Sequence, residues 1–232
     1  VRMGLRYVKD VGESVGRKVV EMRRSRRYGS LDDVVRRAGA NQRVANAMAS
    51  AGAFESLGLS RRDALWEAPA AVRGANLPLP FEDETPGPVF RPLETAETIA
   101  WDYRASAHST RGHPLGPLRP QLRAMGIADA STMRRLRHGA RVRYAGLVIC
   151  RQRPQTASDV TFMTLEDETG FVNLVIWDQV FKAYSVIARM AHWLGVTGTI
   201  QSEAGVVHLI AERLWVPEAI DTPEHLTSRD FH

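Results

Sequence analysis

The chain has 232 residues, enough for one large or two small domains, and 44% hydrophobic with 25% charged residues is typical of a globular protein with a buried core. The single cysteine, Cys150, excludes an internal disulfide, and no apolar run approaches the roughly 18 residues of a membrane span. We therefore expect a cytoplasmic location and no membrane partner. Because the sequence begins with valine inside a patterned segment, we also expect a fragment of a longer protein.

Basic and acidic zones alternate along the chain, whose net charge is +5. Residues 1–62 carry 14 basic and 6 acidic side chains, and residues 111–153 carry 10 and 1. The zones between and after them are acidic. Basic zones of this strength are typical of proteins that bind nucleic acid. The alternative is that arginine is simply the preferred basic residue of this chain.

Residues 1–65 show helical periodicity interrupted by glycine and serine, which predicts several short helices. Within them, VKDVGESVGRKV (residues 8–19) has the spacing of a helix-hairpin-helix motif, in which a tight turn leads into a helix whose first amides are free to bind a phosphate. Asp10 stands where the motif normally has its first glycine, and its carboxylate would repel a phosphate. The residues assigned to phosphate contact are Lys9, Gly12, Arg17 and Lys18.

A second, weaker copy of the motif is MASAGAFESLG (residues 48–58), with Gly52 at the first glycine position and Phe54 at the second. The two copies predict a tandem helix-hairpin-helix DNA-binding module over residues 1–75, with Gly52 as a further contact. The alternative is that both hairpins only pack against each other. A proline-rich, acidic linker is predicted at 76–93, and a helical connector at 94–138.

From residue 139 onward the pattern changes to the alternation of strands. Five short strands, with a helix between the third and the fourth, have the layout of an OB-fold barrel. An SH3-like barrel is the nearest alternative, but it has no place for that helix. We therefore predict an α+β protein of two modules, an all-α tandem helix-hairpin-helix and an OB-fold over residues 139–220, followed by a tail at 221–232.

The second and third predicted strands, in VTFMTLEDETGFVNLVIW (residues 160–177), have one aliphatic face and one face that mixes aromatic with polar residues. OB-folds bind single strands on the face of these strands, where aromatic rings stack on bases. Base contact is assigned to Phe162, Thr164, Phe171 and Asn173, and phosphate contact to Arg141, Arg143, Arg151 and Arg153 of the first strand. Trp177, at the strand-to-helix junction, is interpreted as a cap of the barrel. The alternative is the reverse parity, with the aromatic rings inside.

No motif in the sequence indicates catalysis. His108 and His113 lie near Asp102 without the spacing of a zinc site, and the acidic residues 166–168 belong to a predicted hairpin turn. A phosphate-binding Walker loop and a nucleophile elbow are both missing from the sequence. We expect no catalytic residue, metal ion or cofactor in this fragment.

Several stretches, in this order, resemble the C-terminal region of the error-prone C-family bacterial DNA polymerases, the damage-inducible paralogues of the replicative catalytic subunit. They are GLRYVKDVGESVGRKVVEMR, NQRVANAMASAGAFESLG, WDYRASAHSTRGHPLGPLR, VTFMTLEDETGFVNLVIW, VVHLIAERL and TSRDFH. The resemblance covers essentially the whole chain, and LEDETGFVNLVIW and SRDFH are its most specific parts.

The resemblance implies translesion synthesis and DNA repair, with a Y-family-like accessory protein and the sliding clamp as partners. It implies that the hairpins hold duplex primer-template and that the OB-fold lies near single-stranded template. The polymerase catalytic residues and their divalent metal would lie upstream of Val1. Residues 76–81 are similar to a clamp-binding peptide, but in a degenerate form. A protein-interaction module and a free-standing single-stranded nucleic-acid-binding protein are the alternative functions.

Overall fold

The computed structural model describes residues 3–75, 87–153, 159–203 and 205–217, and the backbone of 229–231. The chain forms two compact units that divide between Arg111 and Gly112. A helical unit is followed by a closed five-stranded barrel with helices between its third and fourth strands, which confirms the predicted fold class. No helix in the described ranges is long and apolar enough to cross a bilayer.

The first unit consists of helices around an aliphatic core. Its helices are α1 (Glu13–Ser25), α2 (Leu31–Ala38), α3 (Gln42–Ser50), α4 (Arg61–Ala75) and α5 (Thr95–Ser106), with short 3-10 turns at Leu5–Tyr7 and Glu55–Leu57. The α2 and α3 helices begin where the side chains of Ser30 and Asn41 accept a hydrogen bond from the amide three residues later. The core includes small residues such as Ala45, Ala49 and Ala68, which let α3 and α4 pack closely.

The second unit is the barrel with its flanking helices. Its strands are β1 (Arg141–Gln152), β2 (Val160–Asp167), β3 (Gly170–Trp177), β4 (Trp193–Glu203), β5 (Val206–Trp215) and β6 (Arg229–Phe231). Its helices are α6 (Arg119–Ala124), α7 (Ala130–Met133), α8 (Asp178–Ala183) and α9 (Ser185–Met190). The sheet closes in the order β1-β2-β3-β5-β4-β1, with β3 and β5 parallel and the other four pairs antiparallel.

Two predicted segments differ from the structure. The division between the units falls inside the predicted connector 94–138, because α5 packs in the first unit and α6 and α7 pack in the second. Within the predicted tail 221–232, the backbone of Arg229–Phe231 pairs in parallel with Cys150–Gln152. Most of the predicted linker, and with it the clamp-binding-like peptide 76–81, lies outside the described residues.

Candidate nucleic-acid interface

The outer face of β2 and β3 carries the predicted base-contacting residues. Phe162 is 38% exposed and Phe171 57% exposed, Asn173 is exposed, and Thr164 is half-buried. The side chains that point to the opposite side of these strands are buried in the barrel, as predicted. They are Thr161, Met163, Leu165, Val172, Leu174 and Ile176. The aromatic rings therefore lie outside the barrel, and the alternative with reversed parity is wrong. Whether these residues bind bases stays a prediction.

The strand register sets the spacing of this face. Phe162 lies opposite Val175, Thr164 opposite Asn173, and Phe171 opposite Glu166. The two phenylalanines are therefore four residues apart along the strands, about 13 Å, which is too far for the rings to touch each other. Between them lie the hydroxyl of Thr164 and the amide of Asn173, both able to form hydrogen bonds with base edges.

Trp177 does not cap the barrel. Its side chain is 52% exposed, and it has the same parity on β3 as Phe171 and Asn173. It ends β3 directly before α8, so its ring lies on the outer face at the end of the strand and not inside. The interpretation of Trp177 as a cap is therefore wrong, because the alternation of β3 continues to its last residue.

The four arginines assigned to β1 do not share one face. A β-bulge at Ile149 shifts the pairing of β1 with β2, so that Val148 opposes Leu165 but Cys150 opposes Thr164. Beyond the bulge Arg151 is opposite Met163, on the side of the sheet away from the phenylalanines. Its guanidinium donates to the carbonyls of Ala188, at 2.9 Å, and Ala191. Arg151 therefore holds the C-terminal end of α9, and the structure does not place it beside the aromatic residues.

The other three arginines also contact groups of the protein. Arg141 pairs with Glu212 at 2.8 Å, an exposed ion pair of the kind that contributes at most about 1 kcal/mol. Arg143 donates to the carbonyl of Met125 at 2.9 Å and lies over the ring of Trp215. Arg153 donates to Asp178 at 3.1 Å. Of these, only Arg153 is near the end of the aromatic face, and their phosphate contact stays a prediction.

Arg134, which the sequence analysis did not assign to DNA, lies beside Phe171. Its guanidinium donates to the carbonyl of Thr169 at 3.1 Å and covers Gly170, where a β-carbon would be 2.8 Å from Nη1. Within the described residues no carboxylate pairs with Arg134, Arg135 or Arg137. The sequence signal for these cations was the run RRLR, which lies near the end of the predicted helical connector.

The first hairpin presents free amides at the start of α1. Gly12 is the N-cap residue, has extended backbone angles and supplies no capping side chain. Among the described residues, no acceptor takes the amides of Gly12, Glu13 or Ser14. Lys9 and Lys18 are exposed nearby, and Arg17 forms an exposed ion pair with Glu13 at 2.6 Å. This arrangement can accept a phosphate oxygen.

Asp10 is accommodated in that hairpin. Its φ of +66° is the left-handed conformation that the motif normally gives to glycine. Its carboxylate accepts a hydrogen bond from Arg43 of α3, which neutralises the charge that would repel a phosphate.

The second hairpin differs because its amides are used internally. The amide of Gly52 donates to Ala49 at 3.0 Å and that of Ala53 to Met48 at 2.9 Å. Gly52 has a φ of +74°, and a β-carbon there would lie 2.6 Å from Glu55 Oε1 and 2.9 Å from Arg61 Nε. The structure therefore requires glycine at this position for backbone conformation and packing.

Those two side chains belong to an ion network of Glu55, Arg61, Asp102 and Arg111. Arg61, only 3% exposed, donates to Asp102 at 2.6 Å and to Glu55 at 3.1 Å. Arg111 bonds the same two carboxylates at 3.4 and 3.1 Å, which closes the network. It attaches α5 to the second hairpin, which explains why α5 belongs to the first unit.

The acidic β2–β3 turn is a structural junction. Buried Arg119 of α6 donates to Glu168 and Asp167, and Asp167 also accepts from the amides of Ala130 and Thr169 at 2.7 Å. These bonds fasten α6 and α7 to the barrel. Among the described residues no group of three or more His, Cys, Asp or Glu side chains is placed to hold a metal ion.

Comparisons with protein families agree with the two units. Residues 1–64 match the helix-hairpin-helix motif family, and residues 133–217 match the OB-fold nucleic acid binding domain family. The chain thus joins two modules of nucleic-acid-binding families.

Whole-chain comparisons find similarity to error-prone DNA polymerases. The error-prone DNA polymerase of Methylococcus capsulatus is 39% identical over 100% of this chain and 22% of its own length. That of Pseudomonas fluorescens is 38% identical over the same shares, and error-prone DNA polymerase 1 of Agrobacterium fabrum is 39% identical over 92% of this chain and 21% of its own. Over its whole length the chain is a relative of the C-terminal region of error-prone DNA polymerases, which confirms the resemblance. It spans about a fifth of the length of these relatives.

A solved asparaginyl-tRNA synthetase from Pyrococcus horikoshii overlaps 40% of this chain and 23% of its own, at a TM-score of 0.34 and 21% identity. That overlap is too small to add to the assignment.

Proposed function

We propose that this chain is the DNA-binding region of an error-prone DNA polymerase that acts in translesion synthesis and DNA repair. In this proposal the outer face of the barrel holds single-stranded template, and the first hairpin holds the duplex of the primer-template. Polymerisation and its divalent metal belong to residues outside this chain. The observation that carries the proposal is the exposure of Phe162 and Phe171 on a barrel whose interior is mostly apolar along the same strands.

The chemistry of the face favours bases over phosphates. Base–aromatic stacking contributes about 1–3 kcal/mol for each base, and both rings are open to solvent. Between the rings the face carries the uncharged side chains of Thr164 and Asn173, which can form hydrogen bonds with base edges. Cations lie at its ends, with Arg134 beside Phe171 and Arg153 near Trp177. A DNA single strand whose bases face the aromatic rings and whose phosphates lie near these cations fits both the stacking surfaces and the charges.

Replacing both phenylalanines tests the proposal. Phe162→Ala with Phe171→Ala should weaken binding of a single-stranded thymidine oligonucleotide of about 12 nucleotides by tenfold or more, since two stacking surfaces are lost. Fluorescence anisotropy measures the affinity, and thermal unfolding checks the fold. The matched control is Val186→Ala with Met190→Ala, which removes two exposed apolar side chains from α9 of the same unit. A folded double variant with unchanged affinity contradicts the stacking role.

The alternative function, a module that docks accessory proteins, makes a different prediction. It requires that DNA binding be absent or independent of salt, whereas phosphate contacts make binding weaken steeply as salt rises. The Y-family-like accessory protein, the sliding clamp and the cytoplasmic location remain predictions that accompany the proposed function.

A further inference from the structure

Trp177 and Phe162 form a pair at the α8 end of the outer face. Trp177 lies opposite Val160, and Phe162 lies opposite Val175, so the two aromatic residues are diagonal neighbours on adjacent strands. Diagonal neighbours on one face of a sheet are about 7–8 Å apart. Both side chains are open to solvent. Phe171, in contrast, is at the far end of β3 from Trp177.

Two cations share the carboxylate of the residue that follows Trp177. Asp178, the residue after Trp177, pairs with Lys182 at 2.5 Å and with Arg153 at 3.1 Å. The ammonium of Lys182 is largely exposed, and the guanidinium of Arg153 lies over the ring of buried Phe181. The hydrogen bond from Lys182 lowers the pKa of Asp178, so this carboxylate stays charged at neutral pH.

We propose that Trp177 and Phe162, with Lys182 and Arg153, form one nucleotide-binding position for single-stranded DNA. The rings hold a base, and the two cations contact its phosphate. This inference rests on the proposed function and adds Trp177 to it, a residue that was interpreted from the sequence as a cap of the barrel. Diagonal positions at this spacing are within reach of aromatic side chains, so both rings can contact the same base.

The charge at this position favours a nucleic acid strand over an apolar protein segment. A purely apolar partner would gain nothing from the largely exposed ammonium of Lys182, whereas a phosphate oxygen can accept a hydrogen bond from it. Exposed aromatic rings with cations alongside are the combination by which proteins hold single strands.

Tryptophan fluorescence and affinity together test the position. In the full chain, Trp177→Ala should weaken binding of a thymidine oligonucleotide of about 12 nucleotides by about tenfold. Trp177→Phe should retain most of the affinity but lose the fluorescence quenching that bound DNA causes in the unsubstituted chain. Lys182→Ala should reduce the slope of log affinity against log salt by about one. The matched control is Trp66→Ala, because Trp66 is 60% exposed but belongs to the helical unit, and it should change neither affinity nor quenching.

The outcomes separate this inference from the proposed function. If Phe171→Ala weakens single-strand binding while Trp177→Ala and Trp177→Phe leave affinity and quenching unchanged, the inference is overturned and the proposed function stands. If the unsubstituted chain fails to bind the oligonucleotide even at low salt, both are overturned. Should the alanine variant unfold, the loss or retention of quenching in Trp177→Phe decides the matter.

Discussion

Asp10 shows how one residue can depart from a motif and still fit its geometry. A left-handed backbone costs a non-glycine residue about 1–2 kcal/mol, and aspartate is among the residues that adopt it most readily. Here the residue has a φ of +66°, and Arg43 from another helix pairs with its carboxylate. The sequence showed the unfavourable substitution but not its partner, which is 33 residues away.

His113 is held neutral in the barrel unit. Its Nδ1 accepts a hydrogen bond from the amide of Leu115 at 3.1 Å, and burial lowers its pKa from 6.5 to about 4. Between these two pH values the unfolded chain binds more protons than the folded one, so stability is complete above pH 6.5 and falls as the pH falls toward 4. We expect the free energy of unfolding to decrease by about 1–2 kcal/mol between pH 7 and pH 5.

The test is denaturant unfolding of the chain and of His113→Asn at both pH values. The asparagine oxygen can accept the Leu115 amide without titrating, so the variant should lose most of the decrease. His138→Asn is the control, since that histidine is exposed and should leave the pH dependence intact. An identical decrease in His113→Asn and in the unsubstituted chain would show that other groups cause it.

Side-chain parity was predictable from the sequence where a strand is regular. In β2 and β3 one parity is aliphatic, so burial decides which side faces inward, and the structure agrees for all six predicted residues. The position of Arg151 was not predictable, because the bulge at Ile149 depends on how β1 pairs with a distant strand. The strand-to-helix junction was predicted correctly at Trp177, but the sequence does not show that its side chain keeps the outward parity of β3 there.

At the scale of elements, the two hairpins have similar sequences but different environments. In the first, the amides at the start of α1 face solvent. In the second, Arg61 is buried and therefore needs the carboxylates of Glu55 and Asp102. The sequence could indicate two hairpins, but not that α5 supplies Asp102 to one of them.

The first hairpin can be tested at a single amide. Glu13→Pro removes the first amide of α1 at a position where proline is well tolerated, and the extended backbone of Gly12 is compatible with a following proline. Glu13→Ala removes the same carboxylate but keeps the amide. We expect the proline variant to bind duplex DNA at least about tenfold more weakly than the alanine variant, because one hydrogen bond to a charged phosphate contributes about 1.5–3 kcal/mol.

Anisotropy titrations with a labelled duplex measure this difference, and circular dichroism checks that α1 is retained. Equal duplex affinity in the proline and alanine variants would show that the amides of this hairpin do not hold a phosphate. The comparison is independent of net charge, since both variants lose the same acidic group.

The stretch LEDETG, among the most specific parts of the resemblance, has a structural role. Asp167 and Glu168 accept hydrogen bonds from Arg119. Asp167 also accepts from the amide of Ala130, the first residue of α7, and from that of Thr169 within the turn. Such a junction needs these particular side chains, because a buried guanidinium without its carboxylates is strongly destabilising. A distinctive motif was therefore recognisable in the sequence, although its partner Arg119 was not.

At the scale of the whole molecule, fewer basic side chains are available to DNA than the basic zones of the sequence suggest. Arg61 and Arg119 are buried, and Arg151 binds helix carbonyls. The exposed cations that pair with no carboxylate in the described ranges include Lys9, Lys18, Arg134, Arg135 and Arg137. Composition thus indicated a nucleic-acid binder correctly at the level of family, but which arginines are accessible depends on the fold.

The two units should recognise different forms of DNA. We expect Phe162→Ala with Phe171→Ala to weaken binding to single strands but not to duplex, and Glu13→Pro to weaken binding to duplex but not to single strands. On a primer-template with a single-stranded overhang, both units engage one molecule, so the combined variant should lose approximately the sum of the two free energies. Anisotropy on the three DNAs at several salt concentrations measures this, with Glu13→Ala and Trp66→Ala as controls. If Glu13→Pro weakens single-strand binding as much as duplex binding, the proposed division between the units is wrong, because the hairpin would then contact phosphates irrespective of strand pairing.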